Sequence, residues 1–138
     1  MQNINDKKVQ RIIDANFNRA KEGLRVCEDI CRFIYNKKDL TGGYKAIRHD
    51  LTKVMQGLGL LDIIRARDIE NDVGKRTISS ELKRRNISDI LYANSQRVKE
   101  SIRVLEEFAK LLTPRLAMRL KDLRYKLYAL ERKIVKKT

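Results

Sequence analysis

The chain has 138 residues, of which 42% are hydrophobic and 36% are charged, and its formal net charge is +14. That hydrophobic content excludes a disordered chain, and no apolar run reaches the roughly 18 residues that a membrane-spanning helix needs. The N-terminus lacks the hydrophobic segment of a signal peptide, so we expect a cytoplasmic protein with no membrane association. The positive charge favours an anionic partner, but it does not distinguish nucleic acid, a phosphorylated small molecule and acidic lipid.

Two long helices are predicted in the first part of the chain, because helix-forming residues dominate and only one proline occurs. The first helix is expected over about 6–37, and the second is expected to end near Gly57. A turn over 39–43 is predicted between them, with Asp39 or Thr41 as the cap of the second helix.

The middle of the chain is less regular. A short helix is predicted over 60–67, followed by a polar loop over 68–75. Ser79 or Ser80 is a candidate cap for a further short helical piece.

Two more long helices are predicted in the last part of the chain. Ser88 is the expected cap of a helix over 89–112. Thr113 is the expected cap of the next helix and Pro114 its first residue, which is the position that proline favours. This last helix is expected to continue nearly to Thr138.

An internal repeat predicts how these helices are arranged. With an offset of 78 residues, the first helix aligns with the third, and eight of the positions from 15 to 28 are identical. In the first copy these are Ala15, Asn16, Arg19, Lys21, Glu22, Arg25, Val26 and Glu28. The second and fourth helices align with an offset of 76, so that Arg48 matches Arg124. We therefore predict one all-α domain over 1–138, in which two helical hairpins, about 6–57 and 88–137, form a four-helix core with approximate two-fold symmetry. The connector covers about 58–87.

The first helix carries an apolar stripe at helical spacing, formed by Ile13, Phe17, Ala20, Leu24, Cys27, Cys31 and Ile34. The two cysteines are one helical turn apart, poorly angled for a disulfide, and are expected to be reduced core residues. Asn16 falls within the stripe, with Arg19 and Gly23 beside it, and Asn94, Arg97 and Ser101 repeat the feature in the second copy. These residues belong either to a hydrogen-bond network in the core or to a polar ligand pocket.

Charged pairs four residues apart are expected to form surface ion pairs. In the first copy these pairs are Arg25 with Asp29 and Glu28 with Arg32; in the second they are Arg103 with Glu107 and Glu106 with Lys110.

The connector has no counterpart in the repeat, and its charges suggest a phosphate site. Arg65 and Arg67 could grip a phosphate, and Asp68, Glu70 and Asp72 could hold Mg²⁺ together with phosphate oxygens. A solvated loop is the alternative. No glycine-rich phosphate loop or dinucleotide motif occurs, and His49 is the only histidine.

Four segments resemble, in order, the motifs of the helical domain that is fused ahead of thiamin-phosphate synthase in some bacteria. These segments are 14–33, then 67–68 with 72–74, then 93–108, then 124–125 with 128–131. The resemblance implies a role in thiamin biosynthesis as a kinase of hydroxymethylpyrimidine phosphate. It further implies ATP and Mg²⁺ as cofactors and a phosphorylated pyrimidine as the ligand. The 138 residues leave no room for the synthase barrel, so thiamin-phosphate synthase is expected as a separate partner.

The predicted site combines the connector with polar residues of both repeats. Arg65, Arg67 and Asp68 are the candidate catalytic residues, and Asp68 and Asp72 are the candidate Mg²⁺ ligands. The candidate substrate-binding residues are Asn16, Arg19, Glu22, Arg48, Asn94, Arg97, Glu100 and Arg124. Two alternatives stay open: a non-catalytic module that binds the pyrimidine phosphate or docks on the synthase, and a nucleic-acid binder, which rests on net charge alone. The sequence is compatible with a homo-oligomer.

Overall fold

The computed structural model describes residues 7–76 and 82–137, and these form helices, turns and loops but no strand. The prediction of an all-α fold is confirmed for this part of the chain. A π-helical segment, Ile30–Ile34, continues the first helix. The α-helices are α1 (Lys7–Asp29), α2 (Lys38–Gly57), α3 (Leu60–Arg65), α4 (Ile87–Ala109) and α5 (Pro114–Lys137).

The four long helices form a bundle in which each one packs against two others. The hairpins are α1 with α2 and α4 with α5, and across the bundle α1 packs on α4 and α2 packs on α5. The repeat relates α1 to α4 and α2 to α5, so the packing follows the approximate two-fold symmetry that the repeat predicts. The short α3 packs mainly on α1 and brings the connector to that helix.

The helices approach each other closely where glycines face the neighbouring helix. A Cβ on Gly23 would lie 2.6 Å from Val98 Cγ2 and 3.1 Å from the Asn94 carbonyl oxygen of α4. A Cβ on Gly43 would lie 2.5 Å from Leu130 Cδ2 of α5. The small residue at position 23 therefore serves helix packing rather than ligand access.

The predicted stripe of α1 lies in the core as far as the π-helical segment. Ile13, Leu24, Cys27 and Cys31 are fully buried, and both thiols are free. Ile34, by contrast, is 49% exposed, so its predicted place in the core is wrong. The Tyr35 amide donates to the Ile30 carbonyl five residues back, and this wider turn rotates the following positions away from the core.

The turn between α1 and α2 lies earlier than predicted. It consists of residues 35–37, where Asn36 adopts a left-handed conformation with φ 52°. The predicted turn at 39–43 is wrong, because these residues form the first two turns of α2. The Thr41 hydroxyl does not cap the helix and instead donates to the Lys37 carbonyl at 2.8 Å.

The second hairpin begins at a different cap from the one predicted. Asn86, not Ser88, caps α4, because its Oδ1 accepts a hydrogen bond from the Asp89 amide at 2.9 Å. The helix then ends at Ala109, three residues earlier than expected. The predicted junction of Thr113 and Pro114 is confirmed, since Thr113 Oγ1 accepts from the Arg115 amide at 3.3 Å. The proposed caps Ser79 and Ser80 lie outside the described residues.

Candidate functional site

A polar cleft lies between the N-terminal half of α1 and the connector that follows α3. Its volume is about 600 Å³. Four cationic side chains line it against three carboxylates, so the cleft is suited to an anionic ligand that carries several charges. The lining residues are Lys8, Arg11, Ile12, Asp14, Ala15, Asn16, Asn18, Arg19, Arg67, Asp68, Ile69 and Asp72.

A bidentate ion pair joins the two walls of the cleft. Arg67 Nε donates to Asp14 Oδ2 at 2.7 Å, and Arg67 Nη2 donates to Asp14 Oδ1 at 2.6 Å. The Asp14 side chain is only 7% exposed, whereas that of Arg67 is 42% exposed. The hydrogen bonds from Arg67 to Asp14, and then the opposite charge, raise the pKa of the guanidinium above its ordinary value. The pair thus engages Nε and Nη2 of Arg67, and Nη1 takes no part in it.

Asp14 is absent from the predicted site. Its partner lies 53 residues away in sequence, so no local spacing points to it. One signal in the sequence is that the charged Asp14 lies between the apolar residues Ile13 and Ala15. The other is that the repeat, identical at the next two positions, has Tyr92 where the first copy has Asp14. A charge at that point in only one copy marks the first copy as different from the second.

Two further arginines of α1 extend the positive wall of the cleft. Arg11 Nη2 donates to the Asp68 carbonyl at 3.4 Å, which fastens the connector to the helix. Arg19 is exposed, and its Nη1 donates to Asn16 Oδ1 at 3.5 Å. The Asn16 amide nitrogen is itself engaged with the Ile12 carbonyl at 2.8 Å. Asn16 therefore orients Arg19, while its amide keeps one further N–H and one further lone pair.

The carboxylates of the connector shape its turn. Asp68 accepts from the side-chain amide of Asn71 at 2.9 Å and from its backbone amide at 3.2 Å. The bond from the Asn71 side chain and then the one from its backbone are the main causes that lower the pKa of Asp68. This carboxylate therefore stays ionised at neutral pH. Asp72 Oδ1 accepts from the Gly74 amide at 2.9 Å. Each oxygen retains a further lone pair for a ligand.

Among the described residues, no group of three or more histidine, cysteine or acidic side chains could hold a metal ion. A cage made by the protein alone is therefore not present in that part of the chain. Asp68 and Asp72 still fit an ion that arrives with phosphate oxygens, since Mg²⁺ bound in this way takes only one or two carboxylates from the protein.

Several predicted residues lie outside the cleft. Arg65 is an exposed side chain that pairs with Asp62 at 3.2 Å, one turn back on α3. Glu22, Arg97 and Glu100 are exposed on α1 and α4 and do not line the cleft. The Asn94 amide repeats the geometry of its counterpart in α1, since it donates to the Ile90 carbonyl at 2.8 Å.

Two of the predicted binding arginines form equivalent ion pairs in the two hairpins. Arg48 Nε donates to Glu28 Oε1 at 3.0 Å, and Arg124 Nη2 donates to Glu106 Oε1 at 3.0 Å. Both glutamate side chains are only 4% exposed. Hydrogen bonds to Glu106 are the main reason that the pKa of Arg124 is raised. These pairs join each long helix to its hairpin partner, so the repeated Glu and Arg positions support the bundle.

The predicted surface pairs are confirmed in part. Arg25 pairs with Asp29 at 3.6 Å, and Arg103 pairs with Glu107 at 3.1 Å. The surface pairs predicted for Glu28 and Glu106 are wrong, because both side chains are buried and pair with an arginine of the neighbouring helix. Lys110 pairs instead with Glu107 at 3.0 Å.

The comparisons with known proteins give a family for this arrangement. The ThiD2 family matches residues 11–133, which include Asp14, Arg67 and most of both hairpins. The chain belongs to the ThiD2 family. No solved structure matches it. No helix among the described residues is long and apolar enough to cross a membrane.

Relatives of this ThiD2 family chain are named thiamine-phosphate synthase. A protein of Synechocystis sp. is 42% identical over 132 residues, which are 95% of this chain and 37% of the relative. One from Nostoc punctiforme is 42% identical over 124 residues, 89% of this chain and 34% of the relative. One from Rhodopirellula baltica is 38% identical over 135 residues, 97% of this chain and 36% of the relative. The chain thus spans about a third of the length of the curated relatives that it matches.

Proposed function

We propose that this chain acts in thiamin biosynthesis by transferring a phosphoryl group from ATP to hydroxymethylpyrimidine phosphate, forming the diphosphate. The observation that carries the proposal is the bidentate pair of Asp14 and Arg67, which holds a half-exposed guanidinium within a cleft that has a net positive charge. The ThiD2 family match includes this pair, and the relatives' name, thiamine-phosphate synthase, supports the pathway.

Phosphoryl transfer asks mainly for positioning and for cations around the phosphates. Asp14 already holds one edge of the Arg67 guanidinium. Nη1 can therefore bind a phosphate oxygen with little further loss of side-chain conformational entropy. Arg19, five residues after Asp14 on α1, also lines the cleft and can contact a second phosphate. Arg11 is tied to the connector and contributes charge near its turn.

Magnesium would be held by Asp68 or Asp72 together with phosphate oxygens. Its chemistry there would be to neutralise charge on the transferred group. The acceptor is a phosphate oxygen, which is already deprotonated near neutral pH, so the reaction needs no strong general base. That requirement agrees with a cleft lined by arginines, a lysine and carboxylates, without histidine or cysteine.

The test is phosphorus NMR of hydroxymethylpyrimidine phosphate, ATP and Mg²⁺ with the purified chain. We expect a diphosphate product, and we expect its rate to fall by at least roughly 100-fold in Arg67→Ala, in keeping with the loss of one charged group that stabilises a transition state. Arg119→Ala is the matched control, since Arg119 is exposed on α5 and does not line the cleft. Full activity of the Arg67 variant, or intact ATP with the parent chain, contradicts the proposal.

A second candidate is a non-catalytic module that binds the pyrimidine phosphate or docks on thiamin-phosphate synthase. It is favoured by the relatives, in which the matching region occupies about a third of a longer chain. Calorimetry distinguishes the two candidates. Saturable binding of the pyrimidine phosphate without turnover, or measurable association with a separate synthase, supports the module; turnover by the isolated chain supports the kinase.

A further inference from the structure

The positive charge of the chain is concentrated in its last helix. Residues 114–137, which form α5, contain nine lysines and arginines against two acidic residues, and this net +7 is half of the formal charge of the chain. Five of the nine basic residues precede residue 127, so the preference of cations for the C-terminal end of a helix does not account for them. The repeat-related α2 has only four basic and two acidic residues over 38–57. Because α2 holds the equivalent place in the bundle, the fold itself does not require the charge of α5.

Three large side chains with apolar surface are exposed on the same helix. Met118 is 67% exposed, Tyr125 is 55% exposed and Tyr128 is 40% exposed, and their spacing places them on one face of α5. With the offset of 76 residues, their counterparts in α2 are Gly42, His49 and Thr52. The buried ion pair of Glu106 with Arg124, by contrast, is repeated in the first hairpin. The two copies thus share their buried pairs and differ on this exposed face.

A groove between α4 and α5 combines part of this face with cationic side chains. Its volume is about 410 Å³, and Ala117, Met118 and Tyr125 form its apolar part. Four cations and one carboxylate complete the lining: Arg103, Lys110, Lys121, Arg124 and Glu106. Tyrosine, methionine and arginine are residue types that protein interfaces favour. The groove therefore has the composition of an interface for an anionic partner.

The aromatic ring of the groove is held in place by its neighbours. The Tyr125 ring packs edge-on against the Tyr128 ring, with 5.5 Å between the centroids and 87° between the planes. Arg124 Cζ lies 5.4 Å from the Tyr125 centroid, and Arg124 is itself fixed by its pair with Glu106 and by a 2.9 Å hydrogen bond from Nη1 to Tyr128 Oη. A side chain that is already ordered loses little conformational entropy on binding. Tyr125 is therefore suited to be the anchor of an interface.

We infer that this groove docks an acidic surface of a partner protein. An apolar side chain of the partner enters beside Met118 and Tyr125, and its carboxylates pair with the cations of the groove, which outnumber the one carboxylate of the lining. A second copy of this chain is disfavoured, because both copies carry a charge of +14. A lipid surface is disfavoured because it is flat and does not fill a groove. The inference does not depend on phosphoryl transfer, since the groove and the cleft have no lining residue in common.

Synthetic peptides test the groove without a known partner. The probe is a fluorescein-labelled, glutamate-rich helical peptide with leucines along one face, and its binding to the full chain is followed by fluorescence anisotropy. We expect saturable binding at physiological salt. A peptide of the same composition, with its leucines distributed around the helix, tests charge alone and should bind at least about 5-fold more weakly. A DNA duplex, titrated in parallel, distinguishes a nucleic-acid interface from a protein interface.

Two variants locate the binding. Tyr125→Ala and Met118→Ala should each weaken the peptide with aligned leucines by at least about 5-fold, because a few anchor residues dominate the affinity of an interface. Both side chains are exposed, so the melting temperature of each variant should stay within about 2 °C of the parent. His49→Ala, at the position of α2 that corresponds to Tyr125, is the matched control and should bind like the parent.

Some results would overturn the inference. Absence of saturable binding, equal affinity for the two peptides, or unchanged affinity in both Tyr125→Ala and Met118→Ala would each do so. Tighter binding of the DNA duplex, weakened by the same two variants, would also overturn it and assign the groove to nucleic acid. Arg67→Ala should keep its affinity for the peptide even if it loses phosphoryl transfer, so the docking result and the kinase result can fail independently of each other.

Discussion

Removal of the Arg67 side chain should destabilise the fold as well as weaken phosphate binding. In Arg67→Ala the Asp14 carboxylate, 7% exposed, loses both guanidinium hydrogen bonds and keeps only the one from Asn18 at 3.1 Å. Loss of one partner from a fully buried pair costs about 3–5 kcal/mol, and surface pairs contribute only about 0–1 kcal/mol. Because Arg67 is 42% exposed, water can reach its side of the pair, and we expect an intermediate loss of about 2 kcal/mol.

The assay is thermal unfolding of the parent chain, of each single variant and of the double variant. For a chain of this size, about 2 kcal/mol lowers the melting temperature by roughly 5–8 °C. Adding Asp14→Asn removes the unpaired charge and retains an oxygen for Asn18, so the double variant should regain most of that loss. The double-mutant cycle should then give a coupling energy of at least about 1 kcal/mol.

The same variants test whether Arg67 binds phosphate. Inorganic phosphate should raise the melting temperature of the parent chain, and the rise should be smaller in Arg67→Ala, because a ligand stabilises only the state that it binds. A melting temperature of Arg67→Ala within about 1 °C of the parent would refute the structural role argued for the pair. Equal protection of parent and variant by phosphate would refute its role as a phosphate ligand.

Two further predictions concern the core. Gly43→Ala places a Cβ against Leu130 and should lower the free energy of unfolding by about 1–3 kcal/mol. Gly42→Ala has open space around its Cβ and should raise the free energy of unfolding by about 0.5–1 kcal/mol. Chemical denaturation of the two variants checks both signs. Burial raises the pKa of Cys27 to about 12 and that of Cys31 to about 11, so a thiol reagent at pH 8 should react only when the chain unfolds. The unfolded thiols ionise from about pH 9, so the free energy of unfolding should fall as the pH rises from about 9 to about 11–12.

Much of the architecture could be predicted because its signals are local or repeated. The apolar spacing of α1 defines a helix whichever partner it meets, and the match between α1 and α4 requires two similar hairpins. The junction at Thr113 and Pro114 is also local, since a hydroxyl cap and a proline at the first helical position act within one turn. Those expectations agree with the structure.

Other features depend on contacts between distant parts of the chain. Gly42 and Gly43 have the composition of a turn, yet they lie within α2, where Gly43 allows close contact with Leu130 of α5. Glu28 has the spacing of a surface ion pair, but Arg48, 20 residues away, draws it into a buried one. In both cases the neighbouring helix, rather than local propensity, decides the outcome.

The candidate site likewise has features that the sequence predicts and features that depend on the fold. The composition of the connector predicts a site for phosphate and Mg²⁺, and three of the predicted residues, Arg67, Asp68 and Asp72, line the cleft. Two features depend on the fold instead: Asp14 is the partner of Arg67, and Arg65 lies outside the cleft. The physical reason is that a buried carboxylate must find a cation wherever the fold brings one, and here the packing of α3 on α1 brings it from 53 residues away.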